Sequence, residues 1–201
     1  MNRKEVLIIF AKNPVLGKVK TRLGATIGNE KALAVYKELL AYTYSVTHKI
    51  NVDRIVFYAD HIAENDVWNN EYQKAKQHGN DLGERMMNAF SDVFQRGYSK
   101  AVIIGTDCPM VTEEIITEAF KQLDRNDMVI GPASDGGYYL AALKTLHAEL
   151  FQHIAWSTNI VLQKTIAICA EKRLTYYILP ELTDIDDEND LMETKFEHAA
   201  L

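Results

Sequence analysis

The sequence predicts a three-layer α/β/α fold, in which helices cover both faces of a mostly parallel central sheet. Short apolar runs alternate along the chain with longer segments of helical periodicity, which is typical of this fold class. Several of these runs are continuously apolar rather than alternating, as expected for strands that are buried on both faces. The chain has 201 residues, so we expect a single domain over residues 1–201.

The individual elements follow from this pattern. Predicted strands cover residues 6–10, 54–59, 101–105, 128–130, 138–143 and 174–179. Predicted helices cover residues 30–49, 81–97, 112–123 and 158–172, and the acidic tail after Asp184 becomes helical. Gly97 is a C-terminal stop signal, while Thr112 and Ser157 are candidate N-caps. In open sheets of this kind, ligands bind beyond the carboxyl ends of the strands, which directs attention to the loops that follow them.

Composition excludes several classes of function. The formal net charge is -6, which argues against general binding of nucleic acid. No apolar run approaches the roughly 18 residues that a membrane-spanning helix requires. Cys108 and Cys169 lie far apart and fit neither a zinc nor a redox spacing, which favours a reducing cytoplasm.

Against this acidic background, the segment after the first strand is basic. Residues 10–24 read FAKNPVLGKVKTRLG and contain no acid. Within the segment, Gly17 is suited to close backbone approach. Four cations suited to phosphate surround it: Lys12, Lys18, Lys20 and Arg22. The sequence matches neither a P-loop nor a G-x-G-x-x-G dinucleotide motif. We therefore predict a phosphate-binding loop of another type, the alternative being a solvated basic turn.

Asp107 lies in GTDCP, residues 105–109, two residues beyond a predicted buried strand. A carboxylate at this edge of the sheet can hold Mg²⁺ or Mn²⁺, which prefer oxygen ligands and commonly bridge nucleotide phosphates. The alternative is a turn aspartate before a loop that begins with proline. Cys108 is interpreted as a packing residue rather than a nucleophile.

Two further acidic segments are candidates for the same site. In GPASDGGYYL, residues 131–140, Asp135 either binds and activates a substrate hydroxyl or closes a hairpin turn. In TDIDDENDL, residues 183–191, Asp184 and Asp186 would share one side of an extended segment and could complete a metal site with Asp107. Alternatively, residues 186–188 form the acidic first turn of a helix.

Two shorter motifs are given a structural interpretation first. In DLGERM, residues 81–86, Arg85 can reach an anion or pair with Glu84. In WST, residues 156–158, Trp156 is either a core residue or a stacking surface.

Taken in order, FAKNPVLGKVKTRL, DLGERM, IGTDCP, GPASDGGYYL, WST and TDIDDENDL resemble the DUF2064 family of glycosyltransferase-like proteins, over residues 6–191. The resemblance implies the GT-A fold of the nucleotide-diphospho-sugar transferase superfamily, with a more distant likeness to molybdenum-cofactor and phospholactate guanylyltransferases. It implies that Lys12, Gly17, Lys20 and Arg22 bind nucleotide phosphates and that Asp107 binds the metal. GT-A glycosyltransferases usually carry D-x-D at this position, whereas this chain has TDCP, so a second carboxylate must come from elsewhere, and Asp184 and Asp186 are the candidates.

Three hypotheses follow. The first is an Mg²⁺- or Mn²⁺-dependent glycosyltransferase with a nucleotide-sugar donor and a small-molecule acceptor, in which Lys20 and Arg22 stabilise the leaving diphosphate and Asp135 orients or deprotonates the acceptor hydroxyl. The second is a nucleotidyltransferase, in which the same cations hold the triphosphate of an NTP. The third is a nucleotide-binding module without catalysis.

Overall fold

The computed structural model describes residues 4–68 and 70–196, so the ends of the predicted domain and Asn69 lie outside the described residues. Within the described chain, seven strands form one sheet in the order β3-β2-β1-β4-β6-β5-β7. Their bounds are β1 Glu5–Ala11, β2 Asp53–Tyr58, β3 Gln73–Lys76, β4 Lys100–Ile104, β5 Met128–Pro132, β6 Tyr138–Leu143 and β7 Tyr176–Ile178. Strand β6 is antiparallel to β4 and β5, and the other pairs are parallel. The predicted α/β class with a mostly parallel sheet is confirmed.

Helices cover both faces of this sheet. Their bounds are α1 Thr21–Ile27, α2 Asn29–Thr47, α3 Leu82–Gln95, α4 Glu113–Gln122, α5 Val161–Lys172 and α6 Glu188–Thr194, with a short 3₁₀ helix at Ala148–Phe151. Alternate residues of β1 enter opposite cores: Leu7 and Ile9 pack with residues of α2 and α4, whereas Val6 and Ile8 pack with residues of α3 and α5. This burial on both faces explains why the run is continuously apolar.

The first residues of the helices test the N-caps that the sequence predicted. Thr112 caps α4 as predicted, because its side chain accepts a hydrogen bond from the backbone N–H of Ile115. Asp81 caps α3 in the same way through the N–H of Glu84. The prediction that Ser157 caps a helix is wrong. Helix α5 begins at Val161 with Ile160 at its N-cap, and Ser157 has φ of 61°, which places it in the left-handed region.

Three of the described elements were absent from the prediction: strand β3, helix α1 and the 3₁₀ helix at Ala148–Phe151. Strand β3 is an edge strand paired to β2 alone, and its residues QKAK are exposed or half-buried, so it lacks an apolar run. Helix α1 occupies the last part of the predicted basic loop and contains Gly24, which weakens its helical signal.

None of the helices in residues 4–68 and 70–196 is long and apolar enough to cross a membrane.

Candidate functional site

A cavity of about 670 Å³ opens at the carboxyl edge of the sheet. The ends of β1 and β4 contribute Phe10, Lys12 and residues 105–108 to its walls. Because β6 runs antiparallel, its amino end lies at this same edge, and Tyr138 and Tyr139 also line the cavity. The location agrees with the rule that ligands of open α/β sheets bind beyond the strand ends.

Four aspartates from three segments line this cavity. Asp107 follows β4, Asp135 lies between β5 and β6, and Asp184 and Asp186 follow β7. We call Asp107, Asp135, Asp184 and Asp186 the carboxylate wall. Backbone hydrogen bonds join the segments, since the N–H of Ile185 donates to the carbonyl of Asp107 at 2.9 Å. The sequence places these residues far apart, and the sheet brings them to one wall.

The acidic segment after β7 has features of both interpretations given to it from the sequence. Asp184 and Asp186 line the cavity, as expected from their spacing in an extended segment. The next residue, Asp187, is the N-cap of α6 and forms a capping box with Asp190. The tail therefore contributes two carboxylates to the site and a separate set to the start of a helix.

The pKa of Asp184 departs strongly from the usual value of an aspartate. Burial, followed by the negative charge of Asp107, raises its pKa to about 7, while Lys20 opposes this effect. Asp186 and Asp135 add smaller repulsive contributions. Its Oδ1 atom is buried and has no hydrogen-bond partner among the described residues. A buried polar atom without a hydrogen-bond partner is unusual in a folded protein.

Lys20 neutralises part of this charge. Its Nζ atom lies 2.5 Å from Oδ1 of Asp107 and 3.5 Å from Oδ1 of Asp186, and its side chain is 3% exposed. Arg22, which is far more exposed, makes an ion pair with the other oxygen of Asp186. The basic loop therefore meets the carboxylate wall directly.

The other predicted phosphate-binding residues do not all line the cavity. Lys12, Arg22 and Arg85 line the cavity, and Arg85 also donates through Nε to the carbonyl of Gly79. Gly17 lies outside the cavity lining; it has φ of 72° and its nearest neighbour is Asn29. Its position fits a turn that shapes the loop rather than a surface for a ligand.

Tyr36 is a structural residue of the site that the sequence did not indicate. Its hydroxyl accepts a hydrogen bond from the N–H of Lys12 at 2.9 Å and lies 3.2 Å from Oγ1 of Thr106. It thus ties the loop after β1 to the loop after β4. Its apolar ring follows the periodicity of α2, so the pattern indicated only a core position on a helix.

Asp135 both lines the cavity and closes a turn. Its Oδ1 accepts a hydrogen bond from the N–H of Gly137 at 2.8 Å. Gly136 has φ of 87°, and a Cβ atom there would lie 2.2 Å from the carbonyl oxygen of Asn159. Only glycine fits this approach, so the turn is fixed against the segment before α5.

Trp156 lines the cavity and also makes structural contacts, as the sequence favoured. Its indole Nε1 donates to the carbonyl of Phe151, and its ring packs on Gly83 in the first turn of α3. A Cβ atom at Gly83 would lie 2.0 Å from Nε1 of Trp156. The glycine in DLGERM and the tryptophan in WST are therefore two halves of one contact.

Cys108 is buried beside the carboxylate wall. Burial, and then the charge of Asp184, raises the pKa of its thiol to about 12. The thiol therefore stays protonated at neutral pH, as a packing residue would, because a nucleophilic cysteine needs a lowered pKa.

A divalent cation fits the chemistry of the carboxylate wall. The donors are carboxylate oxygens, which Mg²⁺ and Mn²⁺ prefer, and the buried Oδ1 of Asp184 lacks a partner among the described residues. In the arrangement described, Lys20 lies between Asp107 and Asp186. No group of three or more His, Cys, Asp or Glu side chains in residues 4–68 and 70–196 is arranged to hold a metal ion.

The contact between Gly83 and Trp156 makes a testable prediction. Gly83→Ala should lower the free energy of unfolding by about 1–3 kcal/mol, because the added methyl group overpacks the indole, even though alanine favours a helix. In a Trp156→Ala background the same change should be neutral or stabilising. Urea unfolding of the four proteins measures the coupling. An equal cost in both backgrounds would contradict the close contact.

The pKa of Asp184 makes a second prediction. A carboxyl group with a raised folded-state pKa stabilises the protein at low pH and loses this contribution as the pH rises towards 7. With a chelator present to remove metal ions, Asp184→Asn should melt at a higher temperature than the wild type. This difference in melting temperature should grow by about 3 °C or more between pH 5 and 8. Asp92→Asn, a change at a surface ion pair, is the control. A margin independent of pH would mean that Asp184 is ionised throughout.

Comparison with solved structures identifies the fold. A protein from Desulfovibrio desulfuricans G20, provisionally identified as a nucleotide-diphospho-sugar transferase, matches with a TM-score of 0.88 and 32% identity, over 97% of this chain and 89% of that chain. Rv0371c from Mycobacterium tuberculosis H37Rv, in complex with manganese, matches with a TM-score of 0.58 and 11% identity, over 94% and 97% of the two chains. The inositol-1-phosphate CTP transferase from T. maritima matches with a TM-score of 0.56 and 13% identity, over 94% and 92%. The last two similarities concern the fold alone.

Comparison with curated proteins found no match. A family model described as an uncharacterized protein conserved in bacteria, DUF2064, matches residues 42–158, which include the ends of β2 and β4 and the turn at Asp135. This match covers more than half of the chain, and it agrees with the 32% identity to the protein from Desulfovibrio desulfuricans G20. The chain therefore belongs to the DUF2064 family and has the nucleotide-diphospho-sugar transferase fold.

Proposed function

We propose that the protein is a metal-dependent glycosyltransferase that uses a nucleotide-diphospho-sugar donor and a small-molecule acceptor. The observation that carries this proposal is the carboxylate wall, which meets the basic loop at the strand-end cavity. A diphosphate needs cations, and a metal ion that bridges its oxygens needs carboxylates, so the two sets are useful together. The similarity to the protein from Desulfovibrio desulfuricans G20 supports the same class of donor.

The cations of the cavity would bind the donor phosphates. Lys12, Arg22 and Arg85 line a volume of about 670 Å³, within the usual range for sites that hold a ligand of nucleotide size. Lys20 would contribute after releasing one of its carboxylate partners. Positive charge held at the leaving diphosphate stabilises the charge that develops as the glycosidic bond breaks.

Asp107, Asp184 and Asp186 would hold Mg²⁺ or Mn²⁺. When bound, the ion would neutralise negative charge on the leaving diphosphate. The Oδ1 of Asp184, which has no hydrogen-bond partner in residues 4–68 and 70–196, and the raised pKa of this carboxyl support the assignment, because a cation would relieve the repulsion among these carboxylates. The manganese complex of Rv0371c shows that another protein of this fold binds such an ion.

Asp135 would orient the acceptor. Its turn is fixed by Gly136 and Gly137, so the carboxylate has a defined place in the cavity wall. In the proposed reaction the acceptor oxygen bonds to the anomeric carbon and its proton passes to Asp135. The bond between the anomeric carbon and the diphosphate oxygen breaks, and its electron pair leaves with the diphosphate. The remaining walls would exclude water from this step.

The buried, unpaired thiols of Cys108 and Cys169 support the cytoplasm as the place of this reaction, since disulfides are rare there.

A ligand panel tests this proposal. The protein should be stabilised thermally by one class of nucleoside diphosphate or UDP-, GDP-, ADP-, CDP- or dTDP-sugar, and the shift should require Mn²⁺, because the ion and the phosphates share the site. Asp107→Asn should remove the Mn²⁺-dependent shift, whereas Asp92→Asn should retain it. Asp135→Asn should keep donor binding while lowering transfer by roughly 10²-fold or more, as expected for a lost general base. The absence of any metal-dependent shift with any of these nucleotides would overturn the proposal.

One observation favours nucleotidyl transfer as a second candidate. The carboxylates of the wall come from separate segments, after β4 and after β7, rather than from one D-x-D motif. This arrangement is closer to the pattern of nucleotidyltransferases, and the inositol-1-phosphate CTP transferase from T. maritima shares the fold. Here Lys12, Lys20 and Arg22 would hold a triphosphate, and an acceptor phosphate or alcohol would attack the α-phosphorus.

Product analysis separates the two reactions. With NTP, Mn²⁺ and a mixture of sugar phosphates and alcohols, nucleotidyl transfer releases pyrophosphate, whereas glycosyl transfer consumes a nucleotide sugar and releases a nucleoside diphosphate. Pyrophosphate release that Asp107→Asn abolishes would select the second candidate. Metal-dependent binding of nucleotides without either product would instead select a binding module that has no transfer activity.

A further inference from the structure

We propose that Lys20 is an internal counter-ion that competes with the divalent metal for Asp107 and Asp186, so that metal and diphosphate bind cooperatively. This inference rests on the metal-dependent function proposed above. It goes further, because it assigns to one residue of the basic loop the task of coupling the two ligands. In this scheme the Lys20 ammonium moves from the carboxylates to the diphosphate when both ligands are present.

The contacts of Lys20 support the competition. Its side chain is 3% exposed, whereas the side chains of Asp107 and Asp186 are 31% and 35% exposed. The carboxylates therefore face the cavity, and the ammonium lies behind them at 2.5 Å and 3.5 Å. An ion approaching these oxygens meets a positive charge that already occupies part of their coordination. An ammonium this close to the carboxylate oxygens would repel a metal ion that binds the same oxygens, which opposes binding of the metal alone.

The ammonium is buried with the two carboxylates as its ionic partners. A lysine with so little exposed area cannot be resolvated by water in place, so it stays with its partners until another anion is available. A diphosphate in the cavity supplies such an anion. Arg22, whose side chain is 66% exposed, is paired to Asp186 and can exchange partners in the same way.

The backbone at Lys20 shows that this placement is imposed by the surrounding fold. Lys20 has φ of 47° and ψ of 46°, a left-handed conformation that is unfavourable for residues with a Cβ atom. It precedes α1, and its carbonyl accepts the N–H of Gly24 at 2.7 Å. Backbone strain of this kind persists where the surroundings over-determine it, and it often marks functional positions. The side chain of this strained residue makes the ion pairs to Asp107 and Asp186.

Cooperativity follows from this arrangement by linkage. If the diphosphate draws Lys20 away, it raises the affinity of the wall for the metal, and the metal must raise the affinity for diphosphate by the same factor. The carboxylate wall alone would otherwise repel a diphosphate.

The test measures binding of Mn²⁺ by calorimetry, with inorganic pyrophosphate as a base-independent probe. Lys20→Met keeps most of the aliphatic stem and removes the charge. Without pyrophosphate, this variant should bind Mn²⁺ roughly tenfold or more tightly than the wild type, within the range of known couplings between sites. Pyrophosphate should raise the Mn²⁺ affinity of the wild type by at least a similar factor and that of Lys20→Met by much less.

Controls separate this effect from loss of charge in general and from misfolding. Lys37→Met removes a charge at an exposed position of α2, outside the cavity lining, and should behave as the wild type. Lys20→Arg keeps the charge and should not gain Mn²⁺ affinity. The double variant Lys20→Met/Asp107→Asn should lose the gain, which locates it at the wall. Circular dichroism and thermal melting establish that each variant is folded.

The possible failures are distinguishable. If Lys20→Met and the wild type bind Mn²⁺ equally, and Asp107→Asn abolishes both, the competition is wrong while the proposed metal site stands. If Lys20→Met binds Mn²⁺ more weakly than the wild type, Lys20 supports the site instead of competing, and the inference is also wrong. If neither protein binds Mn²⁺ with or without pyrophosphate, the proposed metal-dependent function falls with it.

Discussion

The ion pairs of Lys20 with Asp107 and Asp186 are the interaction on which the site depends. They join three parts of the chain: the loop after β1, the loop after β4 and the segment after β7. A buried ammonium is stable only when it is paired, and closely spaced carboxylates repel one another without a cation between them. Each group therefore makes the position of the others possible. Asp184, whose Oδ1 has no hydrogen-bond partner among the described residues, has a pKa raised to about 7, first by burial and then by the negative charge of Asp107.

The sheet topology determines why these groups meet. Six strands point the same way and bring their carboxyl ends to one edge, while antiparallel β6 begins at that edge. The turn with Asp135 therefore lies at the same edge as the loops that carry Lys12 and Asp107. Helices on both faces close off the sheet, so the strand ends are where polar side chains can collect around a cavity. The chemistry of the site is a consequence of strand direction as much as of residue type.

Sequence reasoning succeeded where one segment contains its own signal. Continuous apolar runs predicted the buried strands, and the position of Asp107 after a strand predicted its place at the carboxyl edge of the sheet, because both properties are local. Strand β3 was missed because an exposed edge strand needs no apolar face. The N-cap predicted at Ser157 was wrong, since Ser157 has a left-handed backbone and α5 begins only at Val161. The packing of Trp156 on Gly83 and the hydrogen bonds of Tyr36 join residues distant in the chain. No periodicity in a single sequence reports such pairs.

The balance of charge in the cavity explains an apparent contradiction, a basic loop in an acidic protein. Four aspartates line the cavity together with Lys12, Arg22 and Arg85, and Lys20 is buried behind them. Two of these cations are already bound to the wall, so neither set of charges is fully available while the other is unsatisfied. A phosphate group alone would have to compete with carboxylates for its cations, and a metal alone would have to compete with lysine for its ligands. A metal and a phosphate arriving together satisfy both sets at once. In the proposed function, the cations of the basic loop and the carboxylates of the wall would therefore exchange partners when both ligands bind.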